Sequence, residues 1–135
     1  MNEMQQSIKI ADRLRQIVKG VDEKERKQIY RKAAKPLIKQ AKSNVPVKTG
    51  ALKRSIKELP IAKMQDAIYV GPRISRRSKK RQPFYAHFIE YGKKGYEGVR
   101  YMSRAYDSTS RIVLTLVERG LIDAYRKTIS RVSNR

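Results

Sequence analysis

His87 and Glu90 stand three residues apart in the run Tyr85-Ala86-His87-Phe88-Ile89-Glu90-Tyr91, near enough on a helix to hydrogen-bond. An imidazole beside a carboxylate is the material of a general acid–base pair, and Tyr85 and Tyr91 lie close by. A reaction needs more: a second carboxylate, a nucleophile or a set of metal ligands. His87 is the one histidine and there is no cysteine, which removes thiolate metal sites, cysteine nucleophiles and disulfides. No G-x-S-x-G, phosphate loop or H-E-x-x-H occurs. A single histidine among aromatics reads as a packed or interface residue. The expectation is a protein that is not an enzyme, with no catalytic residue, no metal and no cofactor.

The second concentration of chemistry is basic. Between Pro72 and Pro83 the only apolar residue is Ile74, while Arg73, Arg76, Arg77, Lys79, Lys80 and Arg81 crowd nine positions. This predicts a loop at about 73–83. Six cations there would release counterions from a phosphate backbone. The aromatics lie outside the cluster, so stacking recognition of single strands is not supported. A solvated loop, docking to an acidic protein face and contact with DNA all stay open, with ordering on assembly as the expectation.

Composition bounds the rest. The chain has 135 residues, the length of one ordinary domain able to bury roughly two-thirds of its unfolded surface, and a single domain over residues 1–135 is expected. Thirty-three basic residues against twelve acidic give a formal net charge of +21, which attracts polyanions and costs stability through self-repulsion. Much of the apolar surface is expected to be completed by neighbouring subunits. No apolar run is long enough for a membrane span, and Met1 to Gln5 lacks the basic flank and apolar stretch of a signal peptide. Assembly in cytoplasm, with no membrane partner, is therefore expected.

The elements that must carry these residues follow from periodicity. Ile8, Ala11, Leu14, Ile17 and Val18 recur at helical steps, with Gly20 as the stop. Next, Tyr30, Ala33, Ala34, Leu37, Ile38, Ala41 and Val45 share one face, and Lys24, Arg31, Lys32, Lys35, Lys39 and Lys42 mostly the other. Asp22 with Glu25 has the spacing of a capping box, and Pro36 predicts a kink or a break. Ser55 to Leu59 and Ala67 to Val70 read as paired strands around a turn at Lys63 to Asp66. Phe84 to Tyr91 fits a short helix or strand, Lys93 to Gly98 a turn, and Met102 to Val132 a long helix. Its stripe is Ala105, Ile112, Val113, Leu116, Val117, Leu121, Ala124, Tyr125 and Ile129. The predicted class is α+β, with N-terminal helices and a long C-terminal helix packed on a small antiparallel sheet.

Three segments together resemble the tail-completion or head–tail joining (minor tail component) family of long-tailed bacteriophages. The first is Val45 to Ile56, with Pro46, Thr49, Gly50, Leu52 and Ser55. The second runs from Gly71 and Pro72 to Tyr85, Ala86, Glu90, Tyr91 and Gly92. The third is Tyr101 to Tyr106, with Arg104 and Ala105. Lys93 stands where a threonine is common, and Ser103-Arg104 where the family usually has arginine–proline. Read from the residues alone, Thr49 is a candidate N-cap, Gly50 permits a tight turn, and the turn after it aims Leu52 and Ile56 into the core. Gly71-Pro72 ends a strand. These roles are structural.

The resemblance implies a virion protein of the neck: a ring, of six copies, between head connector and tail tube, with a channel for the genome. Its partners would be further copies of itself and the neighbouring connector and tail-tube proteins, with non-specific contact to DNA in the channel. Most of the charge is then expected outward or at layer interfaces. The rival reading is a stand-alone basic nucleic-acid-binding protein. An endonuclease is disfavoured by the lack of an acidic metal cluster.

Overall fold

Asn2 starts the first helix by accepting a hydrogen bond from the Gln5 N–H at 2.8 Å, while the Gln5 side chain accepts from the Asn2 N–H. This reciprocal pair satisfies two otherwise orphaned donors. The computed structural model describes residues 2–46, 50–60, 67–73 and 86–133. The helix, α1, runs Glu3–Lys19 and stops at Gly20, as the sequence predicts. None of its residues is buried, and Ile8 and Leu14 of its apolar stripe are exposed. The stripe is therefore not core within this chain.

Helix α2, Glu23–Asn44, follows one tight corner. Asp22 occupies the N-cap position, but its side chain makes no capping bond, so the predicted box with Glu25 does not form. Nor does Pro36 break the helix, which is continuous across it. Proline removes one backbone bond, and Ala33, Ala34 and Ala41, buried on either side of it, hold both halves in place. The corner is clamped instead by Arg26, whose guanidinium donates to the carbonyls of Val18 at 2.8 Å and Val21 at 2.5 Å. The first is a carbonyl of the last turn of α1, at the negative end of its dipole, and the second belongs to the corner itself. Val21 is fully buried there.

A short helix, α3 (Ala51–Ser55), leads into strand β1 (Ile56–Pro60), which pairs antiparallel with β2 (Ile68–Pro72). Ile56 lies opposite Pro72, and Lys57 opposite Gly71. Gly50, at φ +72, occupies the N-cap position of α3; Thr49 lies outside the described residues, as does the expected turn at Lys63 to Asp66. Helix α4 (Ala86–Tyr91) settles the helix-or-strand alternative in favour of helix. A two-rung hairpin, β3 (Gly92–Lys93) and β4 (Tyr96–Glu97), then turns the chain into α5, Tyr101–Ser133.

Helices α2 and α5 share the most extensive contact between elements. Gly120 sits against Ile29, where a β-carbon would come within 2.6 Å of the isoleucine side chain, so its small helix-propensity cost is offset by close packing. The architecture is the predicted α+β arrangement. The α5 stripe is only partly core: Ala105, Leu121 and Ala124 are buried, whereas Ile112, Leu116 and Ile129 are exposed.

Candidate functional site

The residues of the three family-like segments converge. Leu52 and Ile56 from the first, Ala86 from the second, and Tyr101 and Ala105 from the third form one buried cluster with Ala41 and Val45. Leu52 and Ile56 point inward as predicted. Ser55 donates its hydroxyl to the Leu52 carbonyl at 2.6 Å, and its own carbonyl accepts from the Arg73 N–H at 2.8 Å. That second bond extends the ladder one step beyond Pro72, which has no N–H to give. Gly71 is buried, whereas Pro46 and Arg104 are exposed.

The second and third segments are joined by Glu90. Its carboxylate accepts from the Met102 N–H at 2.8 Å, from the Ser103 N–H at 3.0 Å and from the Ser103 hydroxyl at 2.6 Å. Glu90 is only 5% exposed. Met102 and Ser103 are the second and third residues of α5, whose N–H groups have no partner within the helix. The residue at the cap position, Arg100, has a left-handed backbone at φ 54 and no side-chain oxygen to offer. Glu90 supplies the cap from another element, and its charge lies at the positive end of the helix dipole.

Both carboxylate oxygens are thus engaged in holding α5, which replaces the acid–base reading of His87 and Glu90. His87 is exposed and rests against Tyr91, ring centroids 4.9 Å apart, with Phe88 edge-on at 6.1 Å. Among the described residues no group of histidines and carboxylates is placed to hold a metal ion.

The backbone reinforces the junction. Val99 N–H donates to the Ile89 carbonyl at 2.7 Å, and Arg100 N–H to the Glu90 carbonyl at 3.1 Å. Gly98 passes so close that a β-carbon there would lie 2.4 Å from the Glu90 carbonyl oxygen and 2.7 Å from the Gly92 nitrogen. Gly92 itself turns at φ +85. Tyr101 is buried beneath, its hydroxyl donating to the Ala86 carbonyl at 3.4 Å. Burial first, then the nearby charge of Glu90 and the phenols of Tyr69 and Tyr91, push its pKa up to about 12.

Sequence reasoning placed Glu90 in a motif without finding its role. The signal was the start of α5: no Ser, Thr, Asp or Asn precedes Tyr101 directly, so its cap had to come from elsewhere. Of the basic loop, Arg73 is exposed at the end of β2. Arg76, Arg77, Lys79, Lys80 and Arg81 lie outside the described residues, as does Tyr85.

Core, cap and turn are therefore the work of the motif residues, which is what a small α+β building block requires. The chain belongs to the family described as bacteriophage HK97-gp10, putative tail-component, whose model matches residues 8–92, well over half of its length. That stretch runs from α1 through Glu90 to Gly92. The family is one of phage tail components, which implies a location in the virion and contact with other phage structural proteins. No curated protein and no solved structure matches the chain.

Proposed function

We propose that the chain is a single-domain structural subunit of the phage neck, assembled in the host cytoplasm into a homo-oligomeric ring of six copies. The ring would complete the tail end and join it to the head connector, leaving a channel for the genome. The observation that carries the reading is α1, an amphipathic helix with no buried residue. Met4, Ile8, Ile10 and Leu14 are 72%, 55%, 59% and 48% exposed. A second apolar surface lies on the outer turns of α5, where Ile122, Ile129 and Val132 are exposed. Two different patches on one subunit are what a head-to-tail contact needs, and such contacts close into rings by rotation. The basic loop would meet a neighbouring connector or tail-tube protein, or DNA in the channel. Nothing in this role calls for bond-making chemistry.

The test is the assembly state of the purified chain without nucleic acid. Electron micrographs should show rings of one stoichiometry, and the double variant Ile8→Lys, Leu14→Lys should remain helical but fall to monomers. A wild-type chain that stays monomeric at all concentrations, yet binds duplex DNA with a steep salt dependence, would make it a stand-alone nucleic-acid-binding protein instead.

A further inference from the structure

Helix α2 carries a surface that neither the ring nor the basic loop accounts for. Lys24, Arg31, Lys32, Lys35, Lys39 and Lys42 fall within an arc of about 100° on a 3.6-residue helix and span about 27 Å of its axis. All are exposed except Lys42, which is half-buried. From Arg26 to Lys57 the sequence has no acidic residue. Among the described residues, none of these six cations has an ion-pair partner or a side-chain hydrogen bond. The opposite face of α2 packs on α5 through Ala33, Ala34 and Ala41, so the ridge is held outward on a rigid support.

We propose that this ridge is a binding surface for the phosphate backbone of duplex nucleic acid. Two features favour that occupant over an acidic protein face. The ridge has no aromatic or aliphatic anchor, and lysine is depleted in protein interfaces, where buried aromatic or arginine anchors dominate. Its charge density, about one cation per 4–5 Å, is also close to one phosphate per roughly 3.4 Å along each DNA strand. Flexible ammonium groups on a straight helix would hold the backbone without reading bases. Such a contact is salt-labile and lets the duplex slide. The inference does not rest on ring formation.

The experiment measures binding of a fluorescein-labelled duplex of mixed sequence to the full chain across a salt series. The variant Lys32→Gln, Lys35→Gln, Lys39→Gln, Lys42→Gln keeps helix propensity. Its log–log salt slope should fall by about 3–4, since each neutralised phosphate contributes about 0.9. The same four positions changed to Arg should keep the slope. A control losing the same charge from scattered exposed sites, Lys9, Arg13, Lys94 and Lys127 to Gln, should lose less than about 1. Equal losses in ridge and control variants would overturn the proposal in favour of a diffuse field, and so would tighter binding of polyglutamate than of DNA. Lysine acetylation of the wild-type chain gives a readout free of folding effects: DNA should protect Lys35, Lys39 and Lys42 but not Lys9 or Lys94, and uniform protection would also overturn it. Electron micrographs of the ridge variant report ring formation separately, so the two readings fail independently.

Discussion

Glu90 meets Ser103 twice, accepting from its N–H at 3.0 Å and from its hydroxyl at 2.6 Å. Both donors of Ser103 thus turn onto one carboxylate. The contact joins the last turn of α4 to the first turn of α5 across thirteen residues of sequence.

Glu90→Ala should therefore lower stability by about 2–4 kcal/mol, through lost charge-assisted bonds and two N–H groups left without a partner. Glu90→Gln should cost less, since an amide oxygen still accepts. Urea unfolding gives the magnitudes, and hydrogen exchange should rise first at Met102 and Ser103. Exchange unchanged at those amides would remove the capping role.

Gly98→Ala should cost about 3 kcal/mol or more, because the new β-carbon meets backbone atoms that cannot swing aside. Gly95→Ala is the comparison: it turns at φ +81 but faces open space, so only the left-handed penalty of about 1–2 kcal/mol applies. Similar melting temperatures for the two variants would argue against the tight passage at Gly98.

The helices were legible in the sequence because their signal is local. The apolar steps of α2 and α5 and the stop at Gly20 can be read within a window of a few turns. Glu90 was not legible as a cap because its partners lie twelve and thirteen residues on, beyond a hairpin, and pattern reading assigns caps only to neighbours. The same limit explains α1: periodicity says that Ile8 and Leu14 belong on an apolar face, not whose core that face completes. At Pro36 a local rule was outweighed by packing of the alanines around it.

The phenol of Tyr101 should make stability fall at high pH. Its folded-state pKa of about 12, against 10.0 for the ordinary group, means that the folded chain holds a proton which the unfolded chain releases earlier. The contribution is fully present below about pH 10 and is lost as pH rises towards 12. Tyr101→Phe should be flatter than wild type across that window in denaturant titrations, the lysines being common to both. Parallel curves would count against a buried neutral phenol.

Arg26→Ala should loosen α1 while leaving the α2 and α5 pair in place. The lost guanidinium contacts to Val18 and Val21 close the corner and complement the helix dipole, together about 1–3 kcal/mol. Exchange should accelerate across Glu3–Lys19 and stay unchanged around Ala34 and Ala124. Uniform acceleration would mean that the corner belongs to the global folding unit.

Helix α5 has 33 residues, about 50 Å of rigid rod at 1.5 Å per residue, and the carboxylate of Glu90 grips it at one end. A tilt of about 10° at that root would swing the far tip by roughly 9 Å over such a length. Packing on α2, where Gly120 meets Ile29, resists such a tilt, so the aim of the distant apolar turns at Ile129 and Val132 is held at two supports, the cap at the root and this seat farther along the rod.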